Sequence, residues 1–124
     1  MRLERRLTPR VFCDIAAEID MLFGDSIDVQ IVDLSSSGCQ IRGDQRLTRL
    51  DSIASGAPLE FSLNFGLEGC PIHTFCRMIY KRRETQNSCL MGLRWNSVPE
   101  HQMEILQRFI DQHLVQSSQS SAKA

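Results

Sequence analysis

From Val11 onward apolar residues recur at every second position. Val11, Cys13, Ile15, Ala17, Ile19 and Met21 share one parity, and Asp14, Glu18 and Asp20 share the other. A period of two is that of a strand with one face buried. Gly24-Asp25-Ser26 supplies turn chemistry. Ile27, Val29 and Ile31 then alternate with Asp28 and Gln30, which predicts a second strand and a hairpin. DLSSSG at 33–38 interrupts the pattern, and Cys39 and Ile41 resume it as a short third strand. Leu59, Phe61, Leu63 and Phe65 predict a fourth, residues 72–82 a fifth, and Cys89, Met91, Leu93 and Trp95 a sixth. Residues 44–57 leave two readings open. The spacing of Leu47, Leu50, Ile53 and Ala54 suits a short helix, and a structured loop suits the segment as well.

After Trp95 the period lengthens. Met103, Leu106, Phe109, Ile110 and Leu114 form the apolar stripe of an amphipathic helix. Ser97-Val98-Pro99-Glu100 fits a capping box, with Pro99 in the first turn, where a missing N–H costs little. Residues 116–124 are polar and of low complexity, and they predict a disordered tail. Residues 1–10 carry Leu3 and Leu7 but little other apolar content, and they read as a flexible basic arm. The domain proper is then 11–115. Short strands with hairpin-like links solve their edge problem by closing on themselves. The predicted fold is therefore all-β with a terminal helix: a small six-stranded antiparallel β-barrel plus a C-terminal α-helix.

Composition narrows the function. With 124 residues, 42% of them hydrophobic, the chain can bury one core. A net charge of −1 argues against a general nucleic-acid-binding surface. No apolar run reaches membrane-spanning length, and no secretory pattern opens the chain, so no membrane insertion is expected. Five scattered cysteines without C-x-x-C spacing fit reduced thiols in a cytoplasmic protein. Cys70, His73 and Cys76 invite a zinc reading. On a strand, however, a spacing of three sends His73 and Cys76 to opposite faces, and a zinc site needs about four ligands. His101 and His113 are dispersed from His73. No catalytic constellation, metal site or cofactor is expected, and the chain reads as no enzyme. Lys81-Arg82-Arg83 reads as a solvated turn, with an auxiliary anion patch as the sharper alternative. Trp95 alternates with core positions and reads as core.

Two motifs remain. Four of the first ten residues are arginine, and Arg6-x-x-x-Arg10, preceded by Arg5, leads directly into the first strand. Asp33-x-Ser35-x-x-Gly38 ends the second. Each is common alone, but the order and setting are informative. ERRLTPRV at 4–11, VDLSSSGCQI at 32–41 and LMGLRW at 90–95, followed by a terminal helix, resemble the PilZ domain family over roughly residues 4 to 114. The known role of that family is binding the bacterial second messenger cyclic di-GMP.

The implied chemistry is coherent. Arginine offers a planar fork of donors that suits phosphate oxygens and the O6 and N7 edge of guanine. A carboxylate accepts from guanine N1–H and N2–H₂, and a serine hydroxyl donates or accepts. Glycine permits positive φ or close approach. By resemblance, Arg6 and Arg10 meet phosphate and guanine, Arg5 assists, and Asp33, Ser35 and Gly38 form the platform beneath. The implied mechanism is an adaptor: the ligand orders the arm over the barrel, and a downstream protein partner reads the changed surface. The alternative is a PilZ-like protein-interaction module that does not use the ligand.

Overall fold

The computed structural model describes residues 9–21, 26–50 and 57–123, with side chains described as far as Leu114. Six strands form one closed antiparallel barrel: β1 (Val11–Asp20), β2 (Ser26–Leu34), β3 (Gly38–Gly43), β4 (Glu60–Leu67), β5 (Cys70–Thr85) and β6 (Ser88–Ser97). Their order around the barrel is β1-β2-β3-β6-β5-β4, and β4 returns to pair with β1. Closure leaves each strand paired on both sides, which removes the exposed edges of an open sheet.

The alternation read from the sequence is the alternation of burial. Ile19, Ile31, Ile41, Leu63, Ile72 and Met91, one from each strand, are fully buried in the barrel interior. Bulges break the two-residue period at several points, and two of them shape the outer wall of the barrel. In β2 the register slips between Ile31 and Asp33. Ile31 pairs with Ile41, yet Asp33 pairs with Gln40, so Asp33 leaves the inward parity of Ile31 and joins the outer face with Gln40. Leu34 takes the inward place and is fully buried. In β5 the register slips between Met78 and Tyr80, which puts Tyr80 on the outer face opposite Gly92.

After β3 the chain makes one helical turn, α1 (Gln45–Thr48), which contains Leu47, while Leu50 lies beyond it. Asp44 caps it by accepting from Arg46 N, and Leu47 is its fully buried anchor. Lys81 Nζ donates to Thr48 O and Leu50 O, each at 2.8 Å, and so satisfies one carbonyl in the last helical residue and one just past it. The rest of the segment, 51–56, lies outside the described residues.

The terminal helix, α2 (Glu100–Lys123), packs on β5, β1 and β4. Ile105, Leu106, Phe109 and Ile110 are its buried face, flanked by Met103 and Leu114. Ile105 is a core position that the stripe in the sequence omits. The capping box does not form. Ser97 ends β6, paired with Phe75, and the first helical bond runs from Met103 N to Pro99 O at 2.9 Å. The strand claims Ser97 because the ladder to β5 extends through it. Gln102 Oε1 instead accepts from His73 N at 2.6 Å and pins the first turn to the barrel wall. The backbone of α2 continues to Lys123, through the stretch 116–123 that its composition marks as a tail. That stretch has no proline or glycine to stop a helix, and the apolar stripe ends at Leu114.

Candidate functional site

The DLSSSG segment turns β2 into β3. Ser35 holds it: its backbone N donates to Gly38 O at 2.9 Å, and its hydroxyl accepts from Ser37 N at 3.2 Å and Gly38 N at 3.1 Å. Behind the turn, Trp95 N donates to Ser37 O at 2.9 Å and Trp95 Nε1 donates to Ser35 O at 3.4 Å. Trp95 is half-buried, stacked on Phe65 with ring centroids 6.4 Å apart, and braces the turn from within. Serine at position 35 therefore fixes a loop by local hydrogen bonds.

Gly38 is needed for close approach rather than for its φ. Among the described residues the positive-φ positions are Glu68 and Gly69. A Cβ at Gly38 would collide with the carbonyl oxygen of Leu93, with Arg94 Cα and Leu93 C at 3.0 Å. The tight packing of β3 on β6 requires the glycine.

Asp33 is 2% exposed although it lies on the outer face. Its Oδ1 accepts from Gln40 N at 3.1 Å, and its Oδ2 from Gln40 Nε2 at 2.7 Å and Arg10 Nη1 at 3.4 Å. Arg10 itself is more than half exposed, and a long contact from such a residue contributes well under about 1 kcal/mol. It is a resting contact from which Arg10 is easily released. Arg5 and Arg6 lie outside the described residues.

Arg10, Asp33, Ser35 and Gly38 thus come together at one place, lining an open cavity of about 250 Å³ on the outer wall of the barrel. The cavity is smaller than the roughly 300–1,000 Å³ of sites that enclose a drug-sized ligand. It has the size to seat part of a larger molecule. Ser37, Gln40, Tyr80 and Arg94 also line it, none of them among the residues assigned to the ligand from the sequence. Gln40 and Arg94 are discoverable as outward positions between the inward-facing pairs Cys39/Ile41 and Leu93/Trp95. Tyr80 is not, because the Met78/Tyr80 bulge reverses the parity that would reveal it.

The thiols near this region are held neutral. Burial, followed by the charges of Asp33 and Asp14, pushes Cys13 from 9.0 up to about 11. Burial pushes Cys76 to about 12 and Cys39 well above its ordinary value. Neutral thiol is the form the fold prefers, so its contribution to stability is complete below pH 9.0 and is lost as pH rises toward 11 for Cys13. In the folded protein near pH 8, iodoacetamide should leave Cys13, Cys39 and Cys76 unmodified, while all react in urea. Rapid labelling of any of the three in the native state would contradict this. His73 is exposed and Cys76 buried, so they do face opposite ways. Among the described residues no group of metal ligands gathers.

The PilZ domain family model matches residues 4–112. The chain belongs to the PilZ domain family. Solved PilZ structures share its fold. The PilZ domain of YcgR from Escherichia coli, with c-di-GMP, is 15% identical with a TM-score of 0.65, covering 97% of this chain and 99% of that one. YcgR from the same organism in complex with c-di-GMP is 16% identical, TM-score 0.66, covering 96% of this chain and 50% of that one. The Bacillus subtilis inhibitor of motility, MotI, is 13% identical, TM-score 0.68, covering 90% of this chain and 52% of that one. This PilZ chain therefore spans about half the length of those two larger proteins. The comparison with curated protein sequences returned no match. No helix among the described residues is long and apolar enough to cross a membrane.

Proposed function

We propose that this PilZ domain is a cyclic di-GMP receptor that acts as an adaptor rather than an enzyme. The observation that carries the reading is the meeting of Arg10, Asp33, Ser35 and Gly38 around one open cavity. YcgR, which shares the fold, is a c-di-GMP complex. Asp33 accepts from the guanine N1–H and N2–H₂ edge, and Arg10, released from its 3.4 Å contact, turns its fork to phosphate or to guanine O6 and N7. In this reading Arg5 and Arg6 supply further guanidinium contacts to the ligand. The ligand closes the arm over the barrel wall, and a cytoplasmic protein partner reads the new surface.

Titration of the protein with cyclic di-GMP tests this directly. The single tryptophan, Trp95, braces the turn, so its fluorescence should change on binding. Ligand at about a hundred times Kd should raise Tm by roughly 10 °C. Affinity should fall with added salt, and Arg10→Ala should weaken it by about tenfold or more. No heat, no fluorescence change and no Tm shift at high ligand would remove the reading and leave the ligand-independent interaction module.

A further inference from the structure

The cavity has a second wall, built from β5 and β6, that neither sequence motif touches. Its main feature is Tyr80. The Met78/Tyr80 bulge turns this residue to the outer face, where it pairs with Gly92. The ring occupies the space that a side chain at 92 would take: Cζ and Cδ2 lie 2.5 and 2.8 Å from the position of a Cβ there. One side of the ring is thus spent on the β6 backbone. The residue is nevertheless 41% exposed and lines the cavity, so the other side is open. Tyr80, Gly92, Gln40 and Asp33 follow one another in register across β5, β6, β3 and β2. Bulges put both ends of this row, Asp33 and Tyr80, on the outer wall.

The charge beside Tyr80 indicates what it faces. Arg94 lines the cavity one row away, directly opposite Arg77. Like charges in register across a ladder are unfavourable. Among the described residues neither arginine has a carboxylate within ion-pair distance. An aromatic face beside an uncompensated guanidinium suits a planar base that carries a phosphate.

We infer that Tyr80 is the stacking surface for a guanine base of bound cyclic di-GMP, with the adjoining phosphate toward Arg94. This rests on the receptor reading above and adds a contact from a wall that its motifs do not reach. A purely structural tyrosine, covering Gly92, would be replaced well by leucine. A stacking tyrosine needs its π face.

Tyr80 is the single tyrosine of the chain, so ring-labelled tyrosine gives one set of NMR signals. On addition of cyclic di-GMP those signals should move upfield, as a ring stacked under a purine does. By calorimetry, Tyr80→Leu should bind roughly tenfold more weakly or worse, and Tyr80→Phe should restore binding. Circular dichroism melting shows whether each variant is folded. If Tyr80→Leu does not fold, the NMR shift in the wild-type protein decides. Wild-type binding without an upfield shift, or with full affinity in Tyr80→Leu, overturns the stacking wall alone. Failure of the wild-type protein to bind overturns both readings.

Discussion

Gly38→Val should destabilise the domain by about 3 kcal/mol and lower Tm by roughly 10 °C. The new Cβ would fall on the carbonyl oxygen of Leu93, with two further β6 backbone atoms at 3.0 Å. A flexible side chain could move aside, but a backbone carbonyl in a ladder cannot. Gly38 pairs with Arg94 and Cys39 with Leu93, so retreat of either strand breaks the pairing that carries β3 round to β6. The same retreat would loosen the turn, because Ser35 bonds to both the N–H and the carbonyl of Gly38. Urea denaturation checks the expectation through a lower midpoint at unchanged slope. Gly38→Ala, with the same first carbon, should lose most of this stability too. A wild-type midpoint in either variant would show that the β3–β6 approach is not as tight as described.

This glycine illustrates how far the fold is legible in the sequence. Six strands, their order of appearance and the terminal helix follow from two periodicities, because burial on one side of each element imposes them. Strand order around the barrel does not follow from periodicity, and neither do the bulges. A bulge is one residue of backbone geometry, and no residue type announces those before Asp33 and Tyr80. Alternation alone assigns Asp33 to the parity of Ile31, which faces the core. The motif singles out Asp33 as a candidate site residue, and only the register slip explains how it reaches the outer wall. The helix start departs from its sequence pattern for a related reason. Ser97-x-x-Glu100 has the right composition for a box, but Ser97 is also the next residue in a ladder, and pairing with Phe75 prevails. Tyr80 lies in no motif, and Arg94 lies in LMGLRW, where nothing marks it as a site residue. The fold brings them to Asp33 from more than forty residues away in sequence.

Asp33 is where the structural and binding roles can be separated, and its two variants should behave differently. Asp33→Ala removes the acceptor for Gln40 N and Gln40 Nε2 at a buried site. Orphaned donors there should cost about 1–3 kcal/mol of stability, and ligand binding should be lost as well. Asp33→Asn keeps shape and volume. Its carbonyl oxygen can accept from Gln40 N, and the Gln40 amide can reverse so that its oxygen accepts from the new Nδ2. The fold should therefore hold, with Tm close to wild type. Guanine cannot make the same accommodation. Its N1–H and N2–H₂ are fixed donors, and an amide presents them with one acceptor and one competing donor. On the receptor reading, Asp33→Asn should weaken cyclic di-GMP by about tenfold to a hundredfold while leaving the melting curve nearly unchanged. Calorimetry and thermal melting on the same samples make the comparison. Full affinity in Asp33→Asn would mean that Asp33 serves the turn alone, and guanine recognition would have to come from the arginines.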